Sequence, residues 1–135
     1  GTPQTWAERI GLLHEFTGKP VLVNEWGFAS RGELMREGEL PPGAPNCQAK
    51  KWKFTWGEGH TPNGQAEFVR QTFNAFRARR SEMLGLFFYR WEDQQKCWQC
   101  GEPDCPVETA WGLVDRDGRP KPSFDAFRRG VEALA

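Results

Sequence analysis

The sequence has no excess of charge of either sign: 18 Lys and Arg stand against 18 Asp and Glu in 135 residues. That excludes the basic footprint of an electrostatic nucleic-acid binder, and no nucleic-acid partner is expected. No apolar run approaches the length of a membrane span, so no membrane partner is expected either. No secretory leader pattern is visible at the start. The chain opens on Gly1-Thr2-Pro3 without an initiator Met, which reads as a processed, trimmed or excised segment. The length allows one domain, or part of one, over residues 1–135.

Aromatic residues are plentiful by contrast. Seven Trp and ten Phe supply rings for a core and leave others among Gly, Pro and charged residues in loops. Indole faces pack well on the C–H faces of sugars, so loop Trp residues are candidate platforms as well as candidate pins for long loops. The stretch around which the rest is arranged is Gly18-Lys19-Pro20-Val21-Leu22-Val23-Asn24-Glu25-Trp26-Gly27-Phe28. Val21-Leu22-Val23 is an unbroken β-forming run, the pattern of a strand buried on both faces. Glu25 ends that strand. A carboxylate is costly to bury without a partner, so Glu25 is expected either to face a cleft or to pair with a structural Arg. Trp26 follows as a flat face for a ligand.

Along the chain, Thr5 and Glu8 have capping-box spacing, and Trp6, Ile10, Leu13 and Phe16 mark the apolar face of a helix over 5–17. Gly18 is a suitable residue to end it. Residues 26–63 form a long Gly- and Pro-rich loop, with a short helix expected at 30–38. A helix over 64–80 buries Ala66, Val69, Phe73 and Phe76. A second apolar strand covers 83–91 and ends at Glu92 and Asp93. A second long loop, 94–110, carries three of the four cysteines. Asp117-Gly118 marks a turn, and a last helix starts at Ser123 and buries Phe124, Phe127, Val131 and Leu134. Alternation of helix and strand implies parallel strands joined by crossover helices. Two strands that read as buried on both faces expect neighbours the chain does not supply. The chain is therefore expected to be part of a larger α/β domain, or to associate.

Four segments carry a family resemblance: Lys19-Pro20-Val21-Leu22-Val23-Asn24-Glu25-Trp26-Gly27, Gly85-Leu86-Phe87-Phe88-Tyr89-Arg90-Trp91-Glu92-Asp93, Trp111-Gly112-Leu113-Val114-Asp115-Arg116-Asp117-Gly118 and Pro120-Lys121-Pro122. In this order they resemble the C-terminal part of a clan A retaining glycoside hydrolase, from the sixth helix to the eighth helix of a (β/α)8 TIM barrel. The resemblance implies an α/β fold that is a portion of that barrel with two long inserted loops. It implies Glu25 as nucleophile and Trp91 as the floor under the sugar, on a β-linked poly- or oligosaccharide substrate. Trp26, Trp56 and His60 are further candidate substrate contacts. His60 also reads as a satisfied loop histidine. Trp52 and Trp98 are additional candidate platforms. The clan's general acid/base Glu lies on a fourth strand that this sequence does not contain. The isolated chain is therefore expected to be inactive and to need the remainder of the barrel, or self-association. Glu92 and Asp93 are the other strand-end carboxylates, expected to pair with Arg90 or loop groups.

Catalysis of this kind needs no cofactor. In a barrel the two long loops would be neighbours, bringing Cys47 to Cys97, Cys100 and Cys105. Four such thiols suit a structural zinc. They equally suit two disulfides, which would imply secretion. Two other readings compete with the glycosidase: a non-catalytic carbohydrate-binding module using the loop tryptophans, and a small zinc-stabilised interaction domain.

Overall fold

The computed structural model describes residues 1–135, a mixed α/β domain around a two-stranded parallel sheet. Helix α1 (Pro3–Thr17) precedes strand β1 (Val21–Trp26). A one-turn helix α2 (Asn46–Ala49) lies in the first long loop. Helix α3 (Pro62–Ala78) leads through a short 3₁₀ turn into β2 (Met83–Phe88). Another one-turn helix, α4 (Pro106–Thr109), lies in the second loop, and α5 (Pro122–Leu134) closes the chain. No helix is long and apolar enough to cross a membrane.

The expected helix–strand–helix–strand–helix order is present, with corrections at the ends. The capping box of α1 joins Thr2 and Thr5, not Thr5 and Glu8: the Thr5 N–H donates to the Thr2 hydroxyl and the Thr2 N–H to the Thr5 hydroxyl, the latter at 2.8 Å. No helix forms at 30–38, because Gly32 has φ 118°, outside the range a helix uses. Ser123 is not the cap of α5. It lies inside the first turn, fully buried, and its hydroxyl donates to Gln65 Oε1 at 2.7 Å.

β1 and β2 pair in parallel, with Val23 opposite Leu86 and Trp26 opposite Phe88. The register shifts between Val23 and Trp26, and this irregularity turns both side chains to the covered face. That face packs on α3, whose Phe68, Val69, Phe73 and Phe76 form the main core with Ile10, Val23, Trp26, Phe28 and Met83. Helix α5 lies against α3 at Gly130, where an added Cβ would stand 2.2 Å from the Phe73 ring. A side chain there would force the two helices apart.

The expectation that both strands are buried on both faces is not met within this chain. Leu22, Leu84 and Phe87 are exposed, and so are Leu12, Leu13 and Phe16 of α1. The apolar stripe of α1 thus buries only its first half. Val131, expected in the core, is also exposed, at 44%. It lies beside a shallow apolar groove of about 290 Å³ lined by Met83, Leu84, Leu86, Phe127 and Leu134. Each strand has one partner, and the second face of the sheet has no cover.

Candidate active site

Parallel pairing sets both strand ends on one side of the sheet. Glu25 is exposed there, next to the last residue of β1. The Tyr89 N–H donates to the Trp26 carbonyl at 2.7 Å and extends the pairing past β2. Trp91 therefore emerges at the same end as Glu25. It is 62% exposed, with only an edge contact to Phe124 at 5.8 Å between centroids. The bond between Tyr89 and Arg90 is a cis peptide. An exposed carboxylate and an exposed indole thus share the C-terminal end of the sheet.

The remaining candidate contacts lie elsewhere. Trp26 is 3% exposed, with its ring edge-on to Phe73, Phe76 and Phe88 at 5.3, 5.1 and 4.9 Å. The register shift between Val23 and Trp26 explains this: it interrupts the alternation, leaving Glu25 on the open face and sending Trp26 into the core. The expected ligand face is a core side chain. Its indole Nε1 is buried without a hydrogen-bond partner in this chain. Trp56 is half-buried, edge-on to Phe68, and its N–H donates to Gln4 Oε1 at 3.3 Å, so it pins the first loop to the helices. Trp52 is buried and donates to the Arg31 carbonyl at 2.9 Å. Among the loop tryptophans Trp98 stays open, at 68% exposure.

His60 stacks between Phe28 and Trp52, with centroids 4.3 and 4.6 Å away. Nδ1 lies 3.0 Å from the Ala29 carbonyl and Nε2 lies 3.3 Å from the Phe54 carbonyl. This is the satisfied loop histidine. Burial lowers its pKa from 6.5, against the opposing pull of the two carbonyls. Between the lowered folded value and 6.5 the unfolded chain binds more protons, so stability is full above pH 6.5 and is lost as the pH falls below it. Thermal melts across that window should show the fall, and His60→Phe, which keeps the stack, should remove it.

A buried polar network that the sequence reading missed ties the strand ends together. Lys121 Nζ donates to Asp93 Oδ1 at 2.6 Å and to Ser30 Oγ at 2.8 Å. The Gly112 N–H also donates to Asp93 Oδ1, at 2.9 Å. Asp93 is thus bound by Lys121 rather than Arg90, and serves as an anchor. Burial lowers the Lys121 pKa, and Asp93 opposes that shift. Gln65 is fully buried on α3, and its amide donates to the Phe28 carbonyl at 2.8 Å and the Gly112 carbonyl at 3.2 Å. The only signal available was a Gln at a position in phase with Val69, Thr72 and Phe76 on the buried face of α3.

The four cysteines do meet. Their sulfurs all lie within 4.8 Å of one another. Cys97 and Cys105 are buried, Cys47 is half-buried and Cys100 is exposed. Cys97 and Cys105 sit in a second small core with Ala29, Trp52, Val107 and Ala110, with Cys47 and Trp111 packed against it. Burial pushes the Cys105 thiol up to about 11 and the Cys47 thiol up as well. At Cys97 burial acts the same way, but donated hydrogen bonds outweigh it and lower the pKa.

No protein-family model and no curated protein matches the chain. Solved structures do. A GH2 β-galacturonidase from Eisenbergiella tayi, bound to galacturonate, aligns with all of this chain at TM-score 0.64 and 18% identity, over 22% of its own length. A GH5_18 protein from Streptomyces cattleya, in complex with GlcNAc, aligns with 98% of the chain at TM-score 0.63 and 18% identity, over 25% of its length. A β-glucuronidase from Faecalibacterium prausnitzii aligns with 98% at TM-score 0.57 and 21% identity, over 19% of its length. The fold of this chain is shared with a segment of these proteins, and it spans a quarter of their length or less.

Proposed function

We propose that this chain is the C-terminal portion of the (β/α)8 barrel of a retaining glycoside hydrolase, and that Glu25 is its nucleophile. The observation that carries the reading is an exposed carboxylate ending a parallel strand, beside an exposed indole ending the next. Active sites of parallel barrels lie at that end of the strands. The uncovered strands and the exposed half of α1 are what a segment cut from a closed barrel would leave open. The solved glycosidases that share the fold support the same assignment, with fold alone as the warrant.

In this reading Glu25 attacks the anomeric carbon of a β-linked sugar as the bond to the leaving oxygen breaks. A carboxylic acid on the remainder of the barrel protonates that oxygen. Water then releases the sugar from the glycosyl-enzyme, with the same acid now acting as base. Trp91 packs beneath the sugar ring. Asp93, Lys121 and Gln65 hold the loop segments that follow the strands and touch no reacting atom. The competing binding-module reading is less favoured, because Trp26 and Trp52 are buried and Trp56 is engaged by the helices, which leaves Trp98 as the open loop tryptophan.

The test is incubation with activated 2-deoxy-2-fluoro glycosides, followed by intact mass and peptide mapping. These probes carry a good leaving group, so labelling needs little acid assistance. A label on Glu25 is expected when the rest of the barrel is supplied, and it names the sugar. A label on another carboxylate, or none on that assembled protein, would overturn the assignment.

A further inference from the structure

We infer that Cys47, Cys97, Cys100 and Cys105 form a structural site for one tetrahedral zinc ion, which staples the two long loops together over the strand ends. The geometry carries this. The Cys47 sulfur lies 3.3 Å from that of Cys97 and 3.6 Å from that of Cys105, with all four sulfurs within 4.8 Å of one another. Four thiolates at about 2.3 Å from a central zinc stand about 3.8 Å apart. Disulfides require exclusive pairs at about 2.05 Å. Here one sulfur is shared between two neighbours, the arrangement of a polyhedron vertex and not of a pair.

The backbone supplies a second, independent observation. The turn Cys97-Trp98-Gln99-Cys100 closes with the Gly101 N–H donating to the Cys97 carbonyl at 2.7 Å, and Gly101 has φ 77°. This knuckle brings the Cys97 and Cys100 sulfurs within reach of one point. Hard cations prefer oxygen ligands, and an all-thiolate tetrahedron selects a softer metal.

The zinc would bridge residues far apart in sequence, Cys47 on α2 and Cys97–Cys105 on the second loop. It would sit in the small core of Ala29, Trp52, Val107 and Ala110. Exposed Trp98, between two of the ligands, would be presented on a rigid knuckle. The inference stands whether or not Glu25 is catalytic.

The experiment is elemental analysis and intact mass of the full chain, purified with zinc in the medium and without reductant. One zinc per chain is expected, with the denatured mass showing all four thiols reduced. Cobalt exchanged into the site should give the thiolate charge-transfer and visible bands of a tetrahedral centre. Chelator should strip the metal and expose both loops to protease. Cys100→Ser, at the exposed ligand, should weaken zinc binding about tenfold or more, and Cys100→His should restore it. If the Ser variant does not fold, the His variant and the cobalt spectrum still decide. A mass lower by four hydrogens without metal would mean two disulfides and overturn the inference. Stoichiometric iron, or zinc binding unaffected by Cys100→Ser, would overturn it too.

Discussion

Under the proposed function, Glu25→Gln should lower turnover by about 10⁴-fold or more in an assembled barrel and leave its unfolding midpoint unchanged. The first half follows from the chemistry. The amide is nearly isosteric but is a poor nucleophile, so the covalent intermediate cannot form, and losing a covalent nucleophile removes most of the catalytic effect. The second half follows from position, because Glu25 is exposed at a strand end and holds none of the core. Sugar binding should survive. Glu25→Ala with added azide supplies the complementary result: the small anion enters the space of the lost carboxylate and yields a glycosyl azide of inverted anomeric configuration. Steady-state rates and product stereochemistry check both. Full activity in Glu25→Gln would refute the nucleophile assignment.

Trp26→Ala destabilises the protein by about 3–5 kcal/mol, the range for removing a buried aromatic from a packed core. The ring meets Phe73, Phe76 and Phe88 edge-on and lies near-parallel to Phe127 at 6.4 Å, so its loss opens a cavity shared by both strands, α3 and α5. Trp26→Phe should cost far less. It keeps an aromatic in the site and removes the indole N–H that lies buried without a partner. Denaturant melts of the two variants distinguish a core role from a ligand platform. A platform would leave stability intact and weaken substrate binding instead.

The contrast between neighbours 25 and 26 shows how much of the site was legible. The apolar run Val21–Val23, ending on a carboxylate, marked both the strand and the end that carries Glu25. It did not reveal that Trp26 turns inward, because that follows from the local register shift against β2. His60 was readable as a candidate and as a satisfied loop residue, and the stack between Phe28 and Trp52 selects the second. The helical phase of Gln65 and the strand-end position of Asp93 were visible, but nothing local named their partners. Their partners lie 28 or more positions away, at Phe28, Gly112, Ser123 and across the pair itself. α1 misled in the other direction: a regular apolar stripe was expected to be buried, and half of it is open because nothing in this chain packs over it.

The sequence by itself determined the order of helices and strands, the strand-end position of Glu25 and the existence of two cysteine-bearing loops. These depend on periodicity and on the backbone preferences of nearby residues, which are local. Tertiary structure decided which face of each strand is covered, which tryptophans are spent on packing, and that Cys47 reaches a cluster 50 residues away. Those outcomes depend on the crossover geometry of α3 between two parallel strands. That geometry sets which distant side chains share a space, and no window along the chain contains it.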